Sequence, residues 1–336
     1  MKSVQKDRQG IVLLTTLWIM VGLSVLALTL AATVRTEARL ARASGDAEKA
    51  CFYARGVLEA VLYQIAFSDP DPQKQGDLFP YGGGMNHYRM SNDQMVCHVA
   101  IRDEAGKLDL NAAEEETLGR LLQILRVPPP KADAIAKVIV DWRKPVVASG
   151  SSVGRPRPFR FVEELLLLPG VNREMLYGQP RWQRDGKVIY RRGLMDFLTV
   201  YSGTDKINPN YAEPEVLAAL PGMSWAAAQS LVEARKGGLL DTTYLSSWAS
   251  GEALPFLTTK PSKTFSLVAT AWLNGSSSRR SLKVVARNVR RSKWGHQRLV
   301  WYDEYWPSPA VRRFSRESPL KRSVTRIHRI WDTWTS

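Results

Sequence analysis

Two cysteines, four histidines and a scatter of carboxylates are the side chains here that could do covalent or metal chemistry. Cys51 and Cys97 either pair as a disulfide in an oxidising compartment or stand as two packed thiols, and their spacing fits no metal motif. His87, His98, His296 and His328 are scattered along the chain. No HExxH, GxSxG or P-loop pattern occurs, so no activated water, serine nucleophile or phosphate cradle is spelled out. The chain therefore reads as a non-enzyme, with no catalytic residue, no metal and no cofactor, and with no small-molecule substrate. The residues that remain informative serve processing, membrane insertion and protein contact.

The bulk numbers agree. The 336 residues are 44% hydrophobic and 24% charged, an ordinary globular composition. The net charge of +15 is uneven: from Arg279 to the end 15 Lys/Arg face 4 Asp/Glu, so +11 falls in the last 58 residues. Such a region meets nucleic acid, anionic lipid or an acidic partner, or it stays a solvated tail. Pro307–Ser336 has no clear period and is expected to be mostly disordered, with a short helix near Ile327–Trp334.

A basic leader stops at Gly10, and Ile11 to Val34 then carries no charge. As a helix those residues span roughly 36 Å, enough for a bilayer core of about 30 Å. The run is longer than a secretory signal core of about 7–15 residues. Lys2, Lys6 and Arg8 favour a cytoplasmic N-terminus and a body on the far side, while Arg35, Arg39 and Arg42 oppose that orientation. Beyond the membrane, Ala50, Tyr53, Ala54, Val57, Leu58, Val61, Leu62 and Ile65 recur at three- and four-residue steps. One helix is expected from about Ile11 to Phe67, ended by Ser68-Asp-Pro-Asp-Pro.

This combination resembles the signature of type IV pilins and pseudopilins. The resemblance implies that a prepilin peptidase cuts between Gly10 and Ile11 and that Ile11 is then N-methylated. It also implies a glutamate at the fifth mature residue, where this chain has Thr15. A carboxylate in lipid is costly unless paired. In the family it is thought to pair with a neighbouring subunit's terminal amine, which Thr15 cannot do. A subunit at the tip of a filament has no such amine above it to neutralise.

Further along, Tyr81–Tyr88 reads as a Gly-rich turn region, Val96–Ile101 as a strand and Asp103–Gly106 as a turn. An internal repeat follows. Lys107-Leu-Asp-Leu-Asn111-Ala-Ala-Glu114 matches Lys206-Ile-Asn-Pro-Asn210-Tyr-Ala-Glu213, 99 residues later. Asn111 and Asn210 are expected as N-caps, with Glu114 and Glu213 closing capping boxes. The second copy continues through Pro221-Gly222 into another helix and resembles a helix-hairpin-helix; Pro169-Gly170 looks like a similar turn. DNA-binding versions carry a second glycine so that backbone amides approach a phosphate. That glycine is missing from both turns, which favours packing and partner contact over DNA. Phe265–Leu273, Ser281–Val289 and Gln297–Tyr302 then read as a β-meander.

Taken together, Gly10-Ile11, Thr15, GKLDLNAA from Gly106, VIVDWR from Val138, EELLLLPGV from Glu163 and KINPNYAEPEVLAALPGM from Lys206 resemble the minor pseudopilin K family of type II secretion systems. The resemblance covers about Gly10 to Tyr305. It implies an α+β fold: a pilin-type helix on an antiparallel sheet, with a large all-helical insert containing helix-hairpin-helix-like repeats. The segments expected are a leader (1–10), the anchor helix (11–67), the first part of the sheet domain (68–106), the insert (107–262), three further strands (263–306) and the tail (307–336). The implied role is capping and starting a pseudopilus with the minor pseudopilins I and J and the inner-membrane secretion platform. That pseudopilus helps export folded proteins across the outer membrane. The implied location is the inner membrane, single pass, with a periplasmic body. Members of the family often bind calcium in an acidic loop after the Asp-Trp motif. Here Asp141-Trp-Arg-Lys-Pro runs into a Ser/Gly/Arg/Pro stretch with too few oxygen ligands, which leaves only Asp141 and Asp205 for a weaker site. The rival reading is a membrane-anchored DNA-binding protein of DNA uptake.

Overall fold

The computed structural model describes residues 3–67, 86–144, 157–182, 188–248, 251–260, 262–288 and 296–303, with the side chains of residues 3–11, 66–67, 86–88, 180–182 and 188–190 excluded. The sequence expectations for Ser68–Pro72, for 81–85, for the stretch after Lys144 up to 156 and for the tail lie outside these residues.

The chain opens with α1 (Ser3–Phe67), which starts eight residues before the expected Ile11, so Gly10 and Ile11 lie within a continuous helical backbone. It is followed by β1 (Asn86–Ser91) and β2 (Met95–Asp103). Within the insert come β3 (Leu108–Asp109), α2 (Glu115–Ile124), α3 (Pro129–Trp142) and α4 (Arg173–Tyr177). Next are β4 (Gln179–Trp182), β5 (Val188–Arg191) and β6 (Leu198–Thr199). The insert ends with α5 (Pro214–Ala218), α6 (Trp225–Ala234) and α7 (Thr242–Trp248). The sheet resumes with β7 (Thr264–Leu273), β8 (Arg279–Asn288) and β9 (His296–Tyr302).

The main sheet is antiparallel, in the order β1-β2-β7-β8-β9. Alternation puts Cys97, Val99 and Ile101 of β2, Leu267, Ala269 and Ala271 of β7, and Leu282, Val284 and Ala286 of β8 on one face. The outer half of α1 lies on that face with Ala50, Ala54, Val57, Leu58, Val61, Leu62 and Ile65, the stripe that the three- and four-residue spacing selects. Alanines on both partners allow close approach. A Leu58→Ala change here would cost about 2–5 kcal/mol. A hydroxyl of the β7–β8 turn, Ser278 Oγ, reaches the Ala43 carbonyl at 3.1 Å, where the sheet first meets the helix.

β1 corrects the sequence expectation, which placed a turn over Tyr81–Tyr88: from Asn86 the backbone pairs with β2. The tight connection is set by Asn92, whose Oδ1 accepts from the amides of Gln94 (3.1 Å) and Met95 (2.7 Å). The insert is also not all-helical. β3 and β6 pair in parallel, and β4 and β5 form a hairpin. The β3–β6 pair is two residues long on each side, and all four residues are buried.

The insert leaves and re-enters the sheet at one point. β2 and β7 are neighbours, with Asp103 opposite Phe265. Its own core gathers Leu118, Leu121, Ile135, Ile139, Leu165, Phe197, Val216, Leu217, Leu220 and Leu231.

Candidate functional site: an anchor helix, a charged junction and a repeated clamp

From Val12 to Gly45 every residue of α1 is exposed. The best window in this helix has a mean hydropathy of 2.2, and it is the one helix among the described residues long and apolar enough to cross a membrane. Bare apolar surface on this scale is not stable in water. Its polar side chains are satisfied internally. Thr15, Thr16, Ser24, Thr29, Thr33 and Thr36 each donate a hydroxyl to a carbonyl one turn back, at 2.8 to 3.0 Å. Thr15 in particular gives its proton to the Val12 carbonyl at 2.9 Å and needs no partner from outside.

Where the insert joins the sheet, charges are buried in pairs. Arg102 of β2 meets Glu213 at 2.7 Å and donates to the Asp196 carbonyl at 2.8 Å. Arg192 meets the other oxygen of Glu213 at 3.2 Å. Burial opposes ionisation of Glu213, but Arg102 and Arg192 outweigh it and hold the carboxyl at about 2. Lys107 meets Glu104 at 2.7 Å with both side chains buried. Burial works against Glu104 too, yet Lys107 and Lys283 together bring it to about 2. The same burial, with Lys283 and Arg102 nearby, lowers Lys107 to about 8 despite Glu104: two lysines share one carboxylate, so the carboxylate gains more than either cation. Asp103 clips the two crossings together. It accepts from the amides of Ala105 (2.8 Å) and Ser262 (3.0 Å), and burial raises it to about 6 against those bonds.

The repeat is a clamp built twice. Asp109 accepts from the Asn111 amide (2.8 Å), as Asn208 does from the Asn210 amide (3.0 Å). The Asn111 side chain grips the backbone of Phe159 on both N–H (2.7 Å) and C=O (3.0 Å). Asn210 grips Leu240 in the same two ways, at 2.7 and 3.0 Å. This corrects the capping expectation. The N-caps are Glu114 and Glu213, neither with a side-chain cap bond. The helices start one residue after each glutamate, Pro214 taking the first helical position it favours. The asparagines are thereby released for long-range bonds. An arginine closes each clamp. Arg143 donates to the carbonyls of Leu110 (2.9 Å) and Ala113, and Arg235 to those of Pro209 (2.8 Å) and Ala212. Sequence reading missed both roles, as well as Arg102, Arg192 and Lys283. The available signal was Asp141-Trp-Arg143 against Glu233-Ala-Arg235, hidden because this pair is closer together than the 99-residue offset.

The helix turns share a shape. Arg126, Gly170 and Gly222 have φ of 66°, 89° and 66°, each two residues before the N-cap of the next helix: Pro128, Asn172 and Ser224. At Pro169-Gly170 the first helix of the pair is a 3-10 helix, Val162–Leu167.

The remaining candidates are quickly placed. Cys51 and Cys97 are free thiols, and burial pushes Cys97 up. Asp141 is paired with Lys144 at 2.7 Å and Asp205 accepts from the Thr204 hydroxyl at 3.4 Å. Among the described residues no group of three or more His, Cys, Asp or Glu is placed to hold a metal, and the stretch after Lys144 lies outside them.

An anchor helix on an antiparallel meander with an inserted helical clamp is the fold of a known class. A chain from the crystal structure of the GspK-GspI-GspJ complex of the enterotoxigenic Escherichia coli type 2 secretion system shares it. The TM-score is 0.50 and the identity 14%, over 78% of this chain and 98% of that one. Residues 207–267, which hold the second clamp and the return to the sheet, match the family model described as type II secretion system protein K. No curated protein gives a match. The family model thus matches the second clamp and the return to the sheet, and the solved structure shares the fold.

Proposed function

We propose that this chain is the minor pseudopilin at the tip of a type II secretion pseudopilus, a structural rather than enzymatic subunit. The match of residues 207–267 to the protein K family carries the reading, and the exposed anchor helix supports it. A prepilin peptidase removes residues 1–10, and Ile11 becomes the methylated N-terminus. The helix stays in the inner membrane with the body in the periplasm. The partners are the minor pseudopilins I and J, as in the complex named for the solved relative. Together they start assembly on the inner-membrane platform, and the insert caps the fibre during export of folded proteins. The self-contained hydroxyl of Thr15 fits a subunit with no neighbour above it.

Mass spectrometry of the N-terminus, after co-expression with the peptidase, tests this. A mature chain beginning at methylated Ile11 is expected. A chain retaining Met1, or cut near Ala32, overturns it.

A further inference from the structure

A groove of about 160 Å³ opens between the α2–α3 turn and the α4–β5 side of the insert. We propose that it binds an acidic, partly apolar peptide segment, whose carboxylates are held by Arg126, Lys131 and Arg191. The proposal does not depend on the secretion reading.

Four observations lead there. The first is charge on an apolar floor. Arg126, Lys131 and Arg191 are exposed on the rim, Glu174 is the one acid lining the groove among the described residues, and Val127, Met175 and Leu194 lie beneath. Arg192 also borders it but is already engaged by Glu213.

The second is strain. Arg126 holds φ of 66°, where the two similar turns use Gly170 and Gly222. A left-handed backbone costs a non-glycine residue about 1–2 kcal/mol. The side chains of Arg126 and Lys131 make no hydrogen bond or ion pair among the described residues to offset it. Strain retained without a structural return points to a binding role.

The third is preorganisation. Arg191 donates from Nη2 to the Leu125 carbonyl, which fixes its guanidinium at the groove edge.

The fourth decides the ligand class. The amides of Leu125, Arg126 and Val127 are spent on the carbonyls of Leu121, Gln123 and Leu122, at 3.0, 2.8 and 3.0 Å. Pro128, Pro129 and Pro130 have no amide proton. The turn therefore offers no backbone donor to a phosphate, and recognition falls to side chains. Arginine and lysine over an apolar floor suit a carboxylate beside an apolar residue.

The test is fluorescence anisotropy on the full chain in zwitterionic micelles. The probes are a short labelled peptide of glutamate, alanine and leucine, its glutamine-for-glutamate counterpart, and a labelled DNA duplex. The acidic peptide should bind, more weakly at high salt. Affinity should fall about tenfold in Arg126→Gly and in Lys131→Gln. Arg126→Gly relaxes the turn, so its thermal midpoint should not drop and the loss cannot be blamed on folding. No binding of the acidic peptide overturns the proposal. So does equal binding of the glutamine peptide, or unchanged affinity in both variants, which would place the contact on the basic tail. Duplex binding that is lost in the same two variants overturns the peptide assignment in favour of nucleic acid.

Discussion

Arg143 and Arg235 hold the same post in two helix pairs: each is the C-cap of the second helix and each donates to two carbonyls just ahead of the first. The guanidinium thus ties the end of a helix pair to its beginning, while Asn111 or Asn210 ties that beginning to the chain that follows. The insert is two copies of one knot rather than a chain of independent helices.

The two arginines should not weigh equally. Arg235 is 7% exposed and Arg143 is half-buried. Arg235→Met strands two buried carbonyls and should cost about 2–4 kcal/mol. Arg143→Met strands the carbonyls of Leu110 and Ala113, which are equally buried, but its own side chain is the more exposed, so water can enter the space it leaves and the change should cost about half as much. Urea unfolding followed by tryptophan fluorescence measures both. A larger loss at Arg143 would mean that the first clamp, not the second, holds the insert together.

The junction carboxylates give opposite pH limbs. Glu213 and Glu104 titrate at about 2 when folded, against 4.5 ordinarily. Their stabilisation is present above pH 4.5 and is lost as pH falls towards about 2. Asp103 is raised from 3.8 to about 6, so the folded state binds the extra proton and stability falls as pH rises between those values. Glu213→Gln should lower stability at neutral pH by about 3–5 kcal/mol, since Arg102 and Arg192 lose the negative charge between them and one of its two acceptor oxygens. It should also make the acid limb shallower. Asp103→Asn should flatten the limb between pH 4 and 6. Denaturant titrations at pH 3, 5 and 7 separate the two, and an unchanged acid limb in Glu213→Gln would remove this residue from the account.

What the sequence made legible follows from local periodicity. The stripe Ala50–Ile65 and the alternation in β2, β7 and β8 are patterns within one element, and the helix and the meander were read from them. The role of Asn111 was not legible, because Asn three residues before Glu is the spelling both of a cap and of a long-range clamp. Only the placement of Phe159 decides between them. The charged junction was hidden for the same reason: Arg102 and Glu213 are far apart in sequence and meet only once β2 and β7 are neighbours. Asn92, by contrast, is a turn signal readable from the sequence alone, and it sets the connection that pairs β1 with β2.

Thr15 tests the tip assignment. Its hydroxyl is spent on Val12, so Thr15→Val should change stability by less than about 0.5 kcal/mol and leave the processed fraction unchanged. Thr15→Glu places a carboxylate at membrane depth, where insertion costs about 2.5–3.5 kcal/mol without a cation to meet it. The mature fraction in membranes, and the recovery of pseudopilins I and J with the chain, measure both. Loss of partner recovery in Thr15→Val would show that the hydroxyl serves another subunit. A gain in Thr15→Glu would show that an amine stands above this subunit after all.

Gly106 lies where β2 passes into the insert, and its missing side chain is a contact in its own right. A Cβ there would stand 2.5 Å from both the carbonyl carbon and oxygen of Tyr211, in the second clamp. Backbone crowds this position from a segment that is itself fixed: the Asn208 amide donates to the Ala105 carbonyl at 2.8 Å. Gly106→Ala must therefore push the crossing and the clamp apart, at about 1–3 kcal/mol or more. Gly251→Ala, which meets nothing within 4 Å, is the control and should be near neutral. Thermal unfolding of the two variants, with limited proteolysis at the crossing, decides the matter. If Gly106→Ala melts like the control, the insert is free to shift on the sheet, and the buried charges at the junction guide its docking rather than lock it.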